Sequence, residues 1–184
     1  PAPPADLVAG SVVAPEQAID GSTIAVTYRV DNKGLDITDR GNWADTIWLT
    51  RDRTRPNTTK GDVLLATLPH AGALGFDTSI VDPPTFYEVS TTVTLPERIS
   101  GEFFITAWSD TFDAVYKSTQ SVNVNPDDPN RINNSNYKAR PITVLMRPPA
   151  DLVVTAVQPQ AVGVGGEDYA VQWTVQNQGS QATD

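Results

Sequence analysis

Thr23-Ile24-Ala25-Val26-Thr27-Tyr28-Arg29-Val30 alternates without a break: Ile24, Val26, Tyr28 and Val30 share one face, and Thr23, Ala25, Thr27 and Arg29 share the other. A period of two, rich in β-branched side chains, marks a strand with one face in a core. Ile19-Asp20-Gly21 reads as the turn before this strand, and Asn32-Lys33-Gly34 as the turn that closes it, with Gly34 suited to positive φ.

Outward from that strand, the chain repeats itself. Pro3-Pro4-Ala5-Asp6-Leu7-Val8 returns as Pro148-Pro149-Ala150-Asp151-Leu152-Val153, an offset of 150 − 5 = 145 residues. The two copies stay in step: Gly21 matches Gly166, Val26 matches Val171, Tyr28 matches Trp173, Asn32 matches Asn177 and Gly34 matches Gly179. In-register similarity at a distance of one domain is the signature of a tandem array. The expected organisation is a complete unit at residues 1–147, opening with a Pro-rich linker, and the linker and truncated start of a second at 148–184.

Further strands are expected at Asp6–Val13, Trp43–Thr50, Asp62–Leu68, Tyr87–Leu95, Glu102–Ser109 and Arg140–Met146, with a short one at Val122–Val124. Trp43, Asp45, Ile47 and Leu49 share a side. Arg51–Lys60 reads as a hairpin loop, and Pro69–Phe86 as a long connection of the kind that often serves as a lid. The second unit supplies two strands, Ala150–Val157 and Asp168–Gln176. The expected fold is therefore all-β: an immunoglobulin-like antiparallel sandwich of about seven strands, plus the first two of a second repeat.

Composition narrows the function. A net charge of −9 and a pI near 4.4 repel nucleic acid and anionic membranes and attract cations. The chain has no cysteine, so its core or a metal must hold it together. No apolar run approaches the roughly 20 residues of a membrane span.

The order Ala-Asp-Leu-Val-Val (Ala150–Val154), turn glycine (Gly166), Val175-Gln176-Asn177-Gln178-Gly179 and Trp43-Ala44-Asp45-Thr46-Ile47-Trp48-Leu49 resembles the CARDB family, the cell-adhesion-related domain of bacteria. Asn133-Asn134 followed by Arg140-Pro141-Ile142-Thr143-Val144 is similar to that family's last hairpin. The resemblance covers Ala5–Val144 and restarts at Ala150. It implies an immunoglobulin-like repeat of a large extracellular or surface protein, non-catalytic, acting as a spacer or adhesion scaffold. Its partners would be neighbouring repeats and an extracellular protein or glycan. The long Pro69–Phe86 segment and the Asn-rich last turn depart from the family pattern.

Three constellations invite a function. Trp48, Phe104 and Trp108 lie opposite the core-facing residues of their strands; exposed, they would stack on sugar, as in a carbohydrate-binding module accessory to an enzyme or adhesin. The opposing expectation is that Leu74, Phe76 and Ile80 of the long loop cover them. Asp110, Asp127, Asp128 and Asn133, with Asp113 and Asn130, offer hard oxygen ligands to calcium, although Asp and Asn in turns also bond their own backbone. Asp52 and Asp62 form a second acidic pair, compensated by Arg51, Arg53, Arg55 and Lys60. His70, the single histidine, has no evident nucleophile or orienting acid and reads as an exposed loop residue. No cofactor is required, and calcium is the one the acidic turns would accept. The sequons at Asn57 and Asn133 read as polar loops. The two strands of the second unit leave unpaired edges for strand addition.

Overall fold

The computed structural model describes residues 4–77, 79, 82–116 and 136–183. The chain divides into two compact units, Pro1–Leu145 and Met146–Asp184. Unit 1 holds β1 (Leu7–Val13), β2 (Gln17–Ile19), β3 (Thr23–Asn32), β4 (Asn42–Thr50), β5 (Val63–Ala71), β6 (Phe86–Thr94), β7 (Gly101–Trp108) and β8 (Tyr137–Leu145). Unit 2 holds β9 (Leu152–Pro159) and β10 (Val171–Asn177).

Unit 1 is an all-β sandwich of a three-stranded sheet, β1-β3-β6, and a five-stranded one, β2-β8-β7-β4-β5. The pairings are antiparallel except β2 with β8, which is parallel. The alternation of β3 is realised: Ile24, Val26, Tyr28 and Val30 are buried, and they pack with Leu7, Ile47, Leu49, Phe103, Ile105, Ile142 and Val144 in one core. Each large side chain so buried contributes about 1.5–3 kcal/mol. On the outer side of the same sheet, cross-strand hydroxyls pair: Thr23 with Thr94 at 3.1 Å and Thr27 with Ser90 at 2.9 Å.

Several expectations need correction. Gln17–Ile19 forms a strand ahead of the turn that was not expected; with it, unit 1 has eight strands among the described residues, in keeping with a sandwich of about seven. β5 runs through Pro69 and His70 to Ala71, because it is an edge strand and an edge tolerates a proline that lacks a donor. His70 is thus a strand residue, half-buried, and not an exposed loop residue. The start of the following connection is packed against the sandwich: Leu74 is in the core, its N–H donates to Thr38 Oγ1 at 3.0 Å, and the Gly75 N–H donates to the Pro84 carbonyl at 2.8 Å. The Val122–Val124 strand lies outside the described residues, as do Ile80 and the Asn133 sequon. Arg51–Lys60 is a loop as expected, ending in a 3-10 turn at Thr58–Lys60.

In unit 2, β9 and β10 reproduce β1 and β3 at the same offset of 145. Leu7 pairs Asn32 and Leu152 pairs Asn177; Val12 pairs Tyr28 and Val157 pairs Trp173. Even the bulge recurs, skipping Gly10 between Ala9 and Ser11 in unit 1 and Thr155 between Val154 and Ala156 in unit 2. The polar lock recurs too. Asn32 Oδ1 accepts from the Asp6 and Gly34 N–H groups at 2.9 and 3.0 Å, and Asn177 Oδ1 from those of Asp151 and Gly179 at 3.0 and 2.9 Å. Gly34 has no positive φ. A Cβ there would sit 2.5 Å from the Pro4 carbonyl oxygen, and one at Gly179 would sit 2.5 Å from that of Pro149. Close approach of the incoming chain, not backbone handedness, selects these glycines. The apolar positions that unit 1 buries are exposed here, Trp173 at 65% and Val157 at 60%.

Candidate functional site

The register places Trp48, Phe104 and Trp108 together on the outer face of the five-stranded sheet. Trp48 pairs Thr106, and the flanking pairs are Thr46 with Trp108 and Thr50 with Phe104, so the tryptophan of β4 is diagonal to both aromatics of β7. None of the three is fully exposed. What lies over them is not the Leu74/Phe76 segment. Phe76 borders Phe86, Leu35 and Arg29 in a separate groove of about 390 Å³. The Arg51–Lys60 loop instead folds back, setting the Arg53 guanidinium 5.1 Å from the Phe104 ring centre and that of Arg55 5.8 Å from the Trp108 ring. Cation–π attraction suits both placements. The Trp48 indole N–H donates to Thr46 Oγ1 at 2.8 Å. Beside them, Glu16, Arg53, Glu102, Phe104, Arg140 and Pro141 line a shallow groove of about 390 Å³ that mixes both charges with an aromatic floor.

A buried polar cluster lies elsewhere, between the sheets. Asp45 of β4 faces the core with Trp43, Ile47 and Leu49 and is 1% exposed. Its Oδ2 accepts from the hydroxyls of Tyr28 (β3) at 2.8 Å and Tyr87 (β6) at 2.7 Å, and its Oδ1 from the Asp110 N–H at 3.0 Å. The Trp43 indole N–H donates to the Tyr87 oxygen at 3.2 Å, and Ser109 Oγ lies 3.2 Å from it. His70 is stacked between Trp43 and Tyr87, with ring centres 4.1 and 3.9 Å away. Burial raises the carboxyl pKa of Asp45, opposed by the hydrogen bonds from Asp110, Tyr87 and Tyr28. Burial, then the charge of Asp45, raises both tyrosine hydroxyls. Asp45 thus joins three strands from two sheets. Its sequence signal is a carboxylate at an inward position of an otherwise apolar strand face, Trp43, Ile47 and Leu49.

His70 Nε2 lies 2.9 Å from the Gly72 carbonyl oxygen. Burial between the rings lowers the His70 pKa below its ordinary 6.5, partly offset by the Gly72 bond and by Asp45. The unfolded chain therefore takes up this proton more readily than the folded one, and the associated stability is present above 6.5 and lost as the pH falls from there through the lowered value. Urea midpoints measured from pH 7.5 down to about 5 should show this loss in the wild type and lack it in His70→Phe. A variant with the same pH dependence as the wild type would remove His70 as its source.

The carboxylates of Asp110 and Asp62 are committed to backbone N–H groups. Asp110 is 1% exposed; its Oδ1 accepts from the Ala114 N–H at 2.8 Å and its Oδ2 from the Val115 N–H at 3.0 Å. Asp113 ends the same turn, its N–H donating to the Asp110 carbonyl at 3.0 Å. Asp127, Asp128, Asn130 and Asn133 lie outside the described residues. Asp62 Oδ1 and Oδ2 accept from the Arg51 and Asn57 N–H groups at 2.9 and 2.8 Å, and Lys60 Nζ bonds Asp52 at 2.9 Å. These carboxylates shape the Arg51–Lys60 loop. Among the described residues no three His, Cys, Asp or Glu side chains converge as a metal site would require. No helix among them is long and apolar enough to cross a membrane.

No protein-family model matches the chain, and no curated protein matches it in sequence. Among solved structures it is similar to the CARDB domain of a Pyrococcus furiosus protein, crystallised in complex with di-metal ions: 13% identity and TM-score 0.48 over 77% of this chain and 90% of that one. The solution structure of the same domain gives 13% identity and TM-score 0.48, over 78% and 97%. β-Glucosidase 3B from Thermotoga neapolitana, in complex with α-D-glucose, is similar at 11% identity and TM-score 0.42, over 76% of this chain and 16% of that enzyme.

Proposed function

We propose that the chain is a non-catalytic module of a large bacterial surface or secreted protein, a spacer and adhesion scaffold strung in tandem with its like. The observation that carries this reading is the second hairpin, which repeats the first in register, bulge, asparagine lock and packed glycine. The same incoming Pro-Ala-Asp, Pro4–Asp6 and Pro149–Asp151, is seated the same way on each, as a string of similar units needs. Acidic charge helps such units stay apart and argues against a nucleic-acid partner. His70 packs its ring against those of Trp43 and Tyr87, which favours a structural role. On this reading no cofactor is needed, and the partners are neighbouring repeats and whatever the parent protein adheres to.

A second reading, a carbohydrate-binding module, is favoured by one observation: three aromatics on adjacent strands beside a groove of both charges. Against it stand Arg53 and Arg55, which occupy the ring faces a sugar would need. A glycan array decides. The spacer reading expects no saccharide binding by the wild type. Binding that Trp48→Ala or Trp108→Ala abolishes would replace it with the second reading.

A further inference from the structure

We propose that unit 1 is built to carry tension between its ends, and that the parallel β2–β8 pair is the element that holds the load. This rests on the spacer reading and deepens it. The two ends of the unit leave from opposite ends of the sandwich. Leu7 lies opposite Asn32, the last residue of β3. At the other end, Leu145 accepts the Asp20 N–H at 2.9 Å, and Ser22, next to the first residue of β3, is bonded to Ile19 at 3.1 Å. The exits are therefore separated by about the ten residues of β3, roughly 30 Å.

Pulling at Pro4 and Leu145 draws β1 and its continuation β2 toward one end and β8 toward the other. β2 and β8 run in the same direction, with Gln17 opposite Thr143, Ala18 opposite Val144 and Ile19 opposite Leu145. Their rupture requires sliding along the strand axis. The Thr143 N–H to Glu16 carbonyl bond at 2.8 Å and the Asp20 N–H to Leu145 carbonyl bond at 2.9 Å bracket the pair and are strained together rather than one at a time. The Arg140–Glu16 ion pair at 3.5 Å spans the same strands.

Both load points are anchored behind the strands. Asp20 is buried, its Oδ2 accepting the Arg98 N–H at 2.6 Å, while the Gly21 N–H donates to the Pro96 carbonyl at 3.1 Å. These bonds tie the end of β2 to the β6–β7 connection. At the entrance, Asp6 is held by its N–H to Asn32 and by its carbonyl, which accepts the Lys33 N–H at 2.7 Å. A three-residue strand adds little core of its own; resistance to sliding gives it a purpose.

Single-molecule stretching of the full chain tests this. The native chain has no cysteine, so Pro4→Cys and Met146→Cys supply unambiguous handles. Forced unfolding is governed by the unfolding rate. Thr143→Pro, which removes the donor to Glu16, should raise that rate at fixed load about tenfold or more. Val26→Ala, destabilised at least as much in urea but outside the clamp, should shift the loaded rate far less. If Thr143→Pro does not fold, Asp20→Ala, which loses the Arg98 anchor, takes its place with a smaller rise in the same direction. Equal loaded rates for clamp and core variants of matched stability, or no change in the clamp variant, overturn the proposal. That result leaves the spacer reading standing, since it is judged on the glycan array.

Discussion

Asp45→Ala should lower the stability of unit 1 by about 3–5 kcal/mol, measured by urea unfolding. Two effects oppose one another. Removing the carboxylate relieves the cost of burying a charge, the same cost that raises its pKa. It also strands the Tyr28 and Tyr87 hydroxyls and the Asp110 N–H, each losing an acceptor at 2.7–3.0 Å. A buried donor left unsatisfied costs about 1–3 kcal/mol, and alanine is too small to fill the space, so the loss wins. Tyr28→Phe and Tyr87→Phe should each cost about 1 kcal/mol and combine with Asp45→Ala at less than the sum, because they share one acceptor. Asp45→Asn serves as the uncharged reference for pH. Since the folded Asp45 holds its proton at pH values where the unfolded chain has released it, the wild type gains on Asp45→Asn as the pH falls through the raised value toward 3.8. A loss below about 1 kcal/mol in Asp45→Ala would mean that the cluster is not what joins the sheets.

How much of this was legible depended on which physical signal each residue sends. β3 was readable because its alternation is unbroken, and β4 because Trp43, Ile47 and Leu49 keep the period. The repeat was readable because the same side chains serve the same bonds twice. β2 was not, since three residues next to a proline carry no periodicity; its partner Thr143 is 126 residues away and only the fold brings them together. Pro69 misled by suggesting a stop, where an edge strand lets it pass. Trp48, Phe104 and Trp108 were correctly grouped on one face, but the arginines that lie over two of them were read as countercharge for Asp52 and Asp62. Lys60 does play that role, and Arg53 and Arg55 in addition lie over rings, which charge counting does not report. His70 was misplaced with the loop because stacking between Trp43 and Tyr87 joins residues 27 and 17 positions away, a distance composition does not report.

Asn32→Ala should cost about 3–4 kcal/mol, and the repeated asparagine is the clearest case of one side chain doing what the sequence pattern only marks. Asn32 Oδ1 accepts two backbone N–H groups, from Asp6 and Gly34, and its Nδ2 donates to the carbonyls of Asp36 and Gly75 at 2.9 and 3.0 Å. The bonds to Asp6 and Gly75 are buried, so water cannot replace them, whereas those to Gly34 and Asp36 lie nearer solvent and cost less when lost. Asn32→Asp separates the two halves of the amide. It keeps the acceptor and loses the donors, and at neutral pH it sets a carboxylate against two carbonyl oxygens, so it should be at least as unstable as Asn32→Ala. Acidification returns one donor to that side chain, and the variant should recover part of its stability as the pH falls, a recovery that Asn32→Ala lacks. Hydrogen exchange locates the damage: the Lys33 amide, bonded to the Asp6 carbonyl at 2.7 Å, should lose protection in both variants, ahead of Thr106 in the middle of β7. Unchanged exchange at Lys33 would place the seat of β1 in its apolar face, Leu7 and Val12, and leave Asn32 as a turn residue.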